Sequence, residues 1–285
     1  MVSKIGIGPA TARRDELGRT VKIVAAPRAT YNSPMRILLT NDDGIFAPGI
    51  MAMHAQLAAS HQVDVVAPEN VQSGGSHAIT IRSPLTCQRV HVSGKFEGTS
   101  VHGTPADCVK LALHALLPQR PDLVVSGINA GLNTGIHVLY SGTVAAAIEG
   151  AILGVPAVAV SLKLYRDMDF DRAAVIAKDI IAQIAAKSPL PRQVFNVNIP
   201  ELRPGWPLGV RIAPQSTQST LETLERRTDP SGREYFWLSG DFGELDDAIE
   251  TDLHVVRQGY VCVTPLHLNL TDAPLLEKMR AWKWA

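Results

Sequence analysis

The sequence predicts an α/β fold with a mostly parallel sheet flanked by helices. Short apolar runs such as Ile37-Leu38-Leu39 and Leu123-Val124-Val125 are bounded by turn residues, as in strands buried on both faces of a parallel sheet. Segments with helical spacing of apolar residues separate these runs, and polar or glycine-rich stretches follow them. In open α/β sheets ligands sit beyond the carboxyl ends of the strands, so those stretches are where chemistry is expected. The chain has 285 residues, enough for one large α/β domain or one and a half ordinary ones.

The first strand of that pattern, Met35 to Thr40, runs into Asn41-Asp42-Asp43-Gly44. Adjacent carboxylates repel by about 1 kcal/mol in water and about 4 at an effective protein dielectric, for charges roughly 4 Å apart. In a partly dry cleft such a pair needs a cation, a shared proton or a set of donors. Gly44 allows a sharp turn that brings both side chains toward one point. A solvated turn, with either aspartate capping the next helix, fits the same residues.

That helix is expected to start with Pro48 in its first turn and to carry Ile50, Met53, His54, Leu57 and His61 at helical spacing, with His54 as a packed boundary residue. A second strand, Val63 to Pro68, empties into the loop Glu69 to His77, which carries Ser73. Residues 79–101 suggest a β excursion, with Ile79/Ile81 and Val90/Val92 alternating and a turn at Ser93-Gly94-Lys95. Thr104-Pro105-Ala106-Asp107 opens a helix, Thr104 as cap and Asp107 at its positive end. The strand Pro121 to Ser126 ends in a Gly/Asn loop, Gly127 to Gly135, suited to close approach of a phosphate. Ser141-Gly142-Thr143 starts an alanine-rich helix whose N–H groups and hydroxyls form an anion site, compatible with plain capping.

Farther on, Val155 to Val160 reads as a strand and Ala173 to Ile184 as an amphipathic helix. Phe195, Val197 and Ile199 alternate with Asn196 and Asn198 on another strand. Arg226 to Trp237 forms a hairpin around Asp229-Pro230-Ser231-Gly232. Thr251-Asp252 caps a short helix, Tyr260 to Pro265 is a last strand, and Leu275, Leu276, Met279 and Trp282 line a terminal helix. Bare aromatics on the hairpin and an amphipathic tail point to subunit contacts.

Composition excludes several classes. Lys+Arg and Asp+Glu both number 27, leaving no electrostatic footprint for duplex nucleic acid or an anionic membrane. No apolar run approaches the roughly 18 residues of a membrane span. Cys87, Cys108 and Cys262 are scattered without metal spacing, which suits a reduced, cytoplasmic setting.

Asp42, Asp43, Ser73 and Asn129 all follow strands of one sheet and can converge. Oxygen ligands without a Cys or His cluster favour a hard divalent cation, Mg2+ or Mn2+. Beside an anion-binding loop and helix start, such a cation implies a phosphoester substrate.

Asn41-Asp42-Asp43-Gly44, Gln72-Ser73-Gly74, Gly103-Thr104-Pro105-Ala106-Asp107-Cys108, Ser126-Gly127-Ile128-Asn129 and Tyr140-Ser141-Gly142-Thr143-Val144 together closely resemble the motifs of the SurE family. Gly259-Tyr260-Val261 and Thr264-Pro265-Leu266-His267 are similar to that family too, so the likeness runs from Met35 to roughly Leu270. The resemblance implies a metal-dependent phosphatase acting on nucleoside 5′- and 3′-monophosphates, and in some members on short polyphosphate. It implies one cation per subunit held by Asp42, Asp43, Ser73 and Asn129, with the two aspartates catalytic. Phosphate would lie near Asn129, Ser141, Gly142 and Thr143. It further implies a Rossmann-like core over residues 35–165, and a remainder over 166–285 with an oligomerisation hairpin and an exchanged C-terminal segment. The assembly would be a homodimer or homotetramer. Residues 1–34, basic and outside the likeness, are expected to be a flexible extension. A nucleotide-binding regulatory module using the same cleft without turnover is the alternative, separated by phosphate release from AMP or GMP.

Overall fold

A computed structural model gives the fold and describes residues 34–187, 189–218, 221–241 and 250–284. It also describes the backbone of β1 (Ala12–Arg14) and β2 (Thr20–Lys22), which pair antiparallel. The rest of the expected 1–34 extension lies outside the described residues.

A nine-stranded sheet organises the molecule. From one edge it runs β10 (Val210–Ile212), β13 (Val261–Leu266), β9 (Val194–Ile199), β8 (Ala157–Leu162), β7 (Leu123–Ala130), β3 (Arg36–Thr40), β4 (Gln62–Pro68), β6 (Phe96–His102) and β5 (Thr86–Val92). The strands from β9 to β6 are parallel, whereas β13 opposes β9, β5 opposes β6, and β10 follows β13. The sheet is therefore mostly parallel with antiparallel margins, as the sequence predicts. A separate hairpin joins β11 (Leu221–Thr228) to β12 (Glu234–Asp241).

Two-residue periodicity divides the apolar strands between two cores. Ile37 and Leu39 face a layer formed with α1 (Pro48–Leu57) and α4 (Phe170–Ala186), while Leu38 faces α2 (Pro105–Leu111) and α3 (Gly142–Ile152). Small residues set the second layer close to the sheet. Ala157 and Ala159 share it with Ala146 and Ala147, and a Cβ on Gly150 would come within 2.8 Å of Val124. His54 stacks on Phe96 at 4.0 Å, the packed role expected of it.

Two expectations change. Ile79 and Ile81 belong to no strand and are exposed, because Asp107 takes the Thr80 N–H and hydroxyl and holds this segment as a loop. The second is the Gly/Asn loop, which starts later than Gly127. β7 continues through Asn129 and Ala130, which pair with Ser161 and Leu162 after a register shift beyond Ser126. Gly127 permits that irregularity, since it has a φ of 131° and a Cβ there would come within 2.2 Å of the Val160 carbonyl oxygen.

Candidate active site

β3 lies next to the central strand of the sheet, with the chain progressing through β4 on one side and returning through β7 on the other. The crevice at this switch point is where an open parallel sheet places its ligand. Asp42 and Asp43 enter it from β3. The α1 N-cap is Ala47 with no side-chain bond, so neither aspartate serves as its cap.

Asp42 is almost fully buried, with 4% of its surface exposed. Its Oδ1 accepts a hydrogen bond from Thr143 Oγ1. Burial pushes its carboxyl up to about 6. The Thr143 bond works against that rise and the neighbouring Asp43 charge adds to it. Asp43 is half-buried, and burial raises its pKa as well, opposed by a bond from Ala130 N to its Oδ2 at 3.0 Å. Among the described residues no lysine, arginine or histidine forms an ion pair with either carboxylate. Two like charges thus meet in a desolvated crevice without a protein cation to offset them.

Asn129 reaches the crevice from the end of β7, beside Ala130. Its Nδ2 donates to Gly131 O at 2.7 Å, which leaves the carbonyl end of the amide for another partner. Ser73 is exposed, on the loop after β4. Gln72 N donates to Asp42 O at 2.8 Å, and Ser76 N donates to Tyr140 O at 3.0 Å. Ser73 therefore sits in a span of loop running from Asp42 to the residue before the cap of α3. The loop is fastened further on, where His77 Nε2 contacts Glu149 Oε2 at 2.8 Å and Lys110 Nζ donates to Glu149 Oε1 at 2.7 Å.

The N-terminus of α3 closes the crevice opposite the aspartates. A Cβ on Gly142 would lie 2.9 Å from Asp42 Cβ, so only glycine lets the helix come this near. Ser141 caps the helix by accepting from Val144 N at 3.1 Å, and its hydroxyl proton remains available. Thr143, expected at the phosphate, spends its hydroxyl proton on Asp42 instead. The Thr143 backbone N–H also bonds the Asp42 carboxyl and lowers its pKa, so the first turn of α3 gives that carboxylate two donors.

A second tier of polar residues supports this front. Asn133 N donates to Asn198 Oδ1 at 2.8 Å, Asn133 Nδ2 to Ser161 Oγ at 2.8 Å, and Asn196 Nδ2 to Asn133 O at 2.7 Å. Asp252 accepts from Gly135 N at 2.8 Å and Ser216 N at 3.0 Å. The asparagines of β9 and Asp252 therefore hold the Gly/Asn loop from beneath. Sequence reasoning read Asp252 only as a helix-start residue, and nothing near it in the chain signals a partner 117 residues away.

The donor set fits a hard cation: two carboxylates, an amide carbonyl and a hydroxyl, all oxygen. Among the described residues no group of three or more His, Cys, Asp and Glu could hold a metal ion, so a cation here would depend on the amide and hydroxyl oxygens as well as the carboxylates. No helix among them is long and apolar enough to cross a membrane.

The chain is similar to proteins of one family over most of its length. The family model described as survival protein SurE matches residues 37–222. The 5′-nucleotidase SurE of Pelotomaculum thermopropionicum is 44% identical over 86% of this chain and 94% of its own. That of Rhodopirellula baltica is 47% identical over 87% of this chain and 98% of its own. Among solved structures, the SurE protein from Aquifex aeolicus superposes with a TM-score of 0.74 at 36% identity, covering 86% of this chain and 98% of that one.

Proposed function

Because this chain belongs to the SurE family, we propose that it is a divalent-metal-dependent 5′-nucleotidase, hydrolysing nucleoside 5′-monophosphates to nucleoside and phosphate. The names of its relatives support the nucleotidase activity. The uncompensated carboxylate pair facing a helix N-terminus is the observation that supports metal dependence. Asp42, Asp43, Asn129 and Ser73 would hold one Mg2+ or Mn2+ per subunit. A cation bound there would supply positive charge to the phosphoryl oxygens and to the attacking water.

The protein's own groups account for the rest. The α3 N-terminus, with the Gly142 N–H and the Ser141 hydroxyl beside Thr143, binds the remaining phosphoryl oxygens and favours their charge. Thr143 holds Asp42 in one orientation through its hydroxyl. Asp42 and Asp43 are the groups placed to receive a proton from water or deliver one to the leaving oxygen. Nucleoside 3′-monophosphates and short polyphosphate present the same terminal phosphoryl group and fall within the proposed range. The exposed hairpin and tail, with Phe236, Trp237, Leu276 and Trp282, would form subunit contacts in a homodimer or homotetramer. The balanced charge and scattered cysteines are in keeping with a cytoplasmic enzyme.

Release of inorganic phosphate from AMP, measured with Mg2+ or Mn2+ and again with EDTA, tests this reading. Turnover that disappears with EDTA and returns with added metal is expected. Binding of AMP without phosphate release would instead establish a nucleotide-binding regulatory module.

A further inference from the structure

The stretch from Asn129 to Thr143 ends in the first turn of α3, where the phosphoryl oxygens are placed above. Whatever fixes the middle of this stretch therefore sets where that turn stands over the crevice. Two pins hold it. Asn133 ties it to β8 and β9 through Ser161, Asn196 and Asn198. The second pin is at Gly135, midway between Asn129 and Ser141, and its partners come from far along the chain.

Gly135 is buried, and both of its polar backbone groups are taken. Its N donates to Asp252 Oδ2 at 2.8 Å, and its O accepts from Gln215 Nε2 at 2.9 Å. Asp252 is fully buried at the start of α5 (Asp252–Arg257). Its Oδ1 accepts from Ser216 N at 3.0 Å and from Leu253 N at 2.9 Å, and its own N donates to Pro214 O at 2.9 Å. Pro214 to Ser216, the start of α5 and Gly135 are thus one joint. The three groups that bond the carboxylate are all N–H donors, an arrangement that suits its ionised, acceptor-only form. Burial raises its pKa, and the bonds from Gly135, Ser216 and Leu253 oppose that rise. A buried charge is costly, and α5 itself uses only the bond from Leu253. The bond to Gly135 adds nothing to α5. What it fixes is the stretch leading to α3.

We infer that Asp252, assisted by Gln215, is a positioning residue for the hydrolysis, acting through Gly135 on the place of Ser141 and Gly142. The inference rests on the phosphomonoesterase reading above. The fit it maintains is close, since a Cβ on Gly142 would lie 2.9 Å from Asp42 Cβ. A displacement of about 1 Å in a group that orients the substrate can cost about a hundredfold in rate.

Asp252→Asn tests this selectively. Its amide has one acceptor oxygen, which turns toward the two donors Ser216 N and Leu253 N, so its NH2 group meets the Gly135 N–H and the pin is lost. Gln215→Leu removes the other bond to Gly135 from a half-buried position. Ile181→Val, in the core on the opposite face of the sheet from α3, controls for lost stability. All are assayed with AMP and Mg2+ below their melting temperatures, and amide hydrogen exchange is followed over residues 131–141. Asp252→Asn and Gln215→Leu should each speed that exchange, lower kcat about tenfold and raise KM about threefold. A smaller folded fraction lowers kcat and leaves KM alone, as expected at most for Ile181→Val. Because both variants act at Gly135, the double variant should lose less than the product of the two single losses. Faster exchange with wild-type kinetics, or lost activity without faster exchange, would overturn the positioning role and leave the phosphatase reading in place. So would losses that multiply in the double variant. Should Asp252→Asn fail to fold, Gln215→Leu decides by the same measurements. A wild-type protein that releases no phosphate from AMP would overturn the phosphatase reading and this inference with it.

Discussion

Asp42 and Asp43 bring two carboxylates into a crevice that gives them hydrogen bonds but no positive side chain, and their substitution should show it. Asp43→Asn should nearly abolish phosphate release. In EDTA the same variant should melt above wild type, because it removes a repulsion of roughly 1–4 kcal/mol. With saturating metal the order should reverse, since only wild type gains binding free energy, about 2.7 kcal/mol at a hundredfold excess over Kd. Melting curves for both proteins in both conditions make the check, and a difference that ignores metal would remove the cation from this site. Acid titration gives a second handle. Burial raises Asp42 from 3.8 to about 6, so between those values the folded state binds more protons than the unfolded one. Metal-free stability contributed by this group therefore falls as pH rises through that window, by of order 2–3 kcal/mol, and the cost is fully present above it. Denaturant titrations in EDTA from about pH 4 to pH 7 should show the loss in wild type relative to Asp42→Asn. Parallel profiles would contradict it. The aspartates were legible in the sequence because a strand, a carboxylate pair and a glycine are adjacent in the chain. The bond from Thr143 to Asp42 was not, because it spans 101 residues and Thr143 alone reads as an ordinary first-turn residue.

Between elements, Glu149 is the joint that fixes the Ser73 loop. It is buried on α3 and accepts from Lys110 of α2, while His77 reaches it from the loop. These partners hold its carboxyl below the usual glutamate range despite its burial. Glu149→Ala should cost about 1–3 kcal/mol, less than a fully buried pair because Lys110 and His77 are each about a third exposed. It should also free the loop between Gln72 and Thr80, and limited proteolysis should then cut there in the variant before it cuts wild type. Uncut loops would place the fastening elsewhere. Most elements could be drawn from periodicity and caps, such as the Thr104/Asp107 box that starts α2. The sequence misled where a tertiary partner overrode local pattern. Asp107 reaches back to hold Thr80 in a loop, and pairing with β8 carries β7 beyond Gly127, the glycine expected to end it.

For the whole molecule, the apolar surface is unevenly placed. None of the residues of α6 (Ala273–Arg280) is buried, and Leu275, Leu276 and Trp282 stand exposed beyond it or along it. Deleting residues 272–285 should reduce the mass measured by light scattering while sparing phosphate release per subunit. An unchanged mass would assign the tail another role. The order of the strands has a further consequence, for how activity is acquired. The bond from Ala130 to Asp43 joins residues 87 apart, and β3 pairs with β7 only after β4 to β6 have been passed over. Contacts of such long range form late, after helices that need only local bonds. A chain diluted from denaturant should therefore regain its helical circular dichroism before it regains any hydrolysis. Catalysis arising in step with helix formation would show that a fragment of the sheet suffices. Otherwise enzymatic turnover is a clock for closure of the central strands, and a half-folded chain in the cell is catalytically silent.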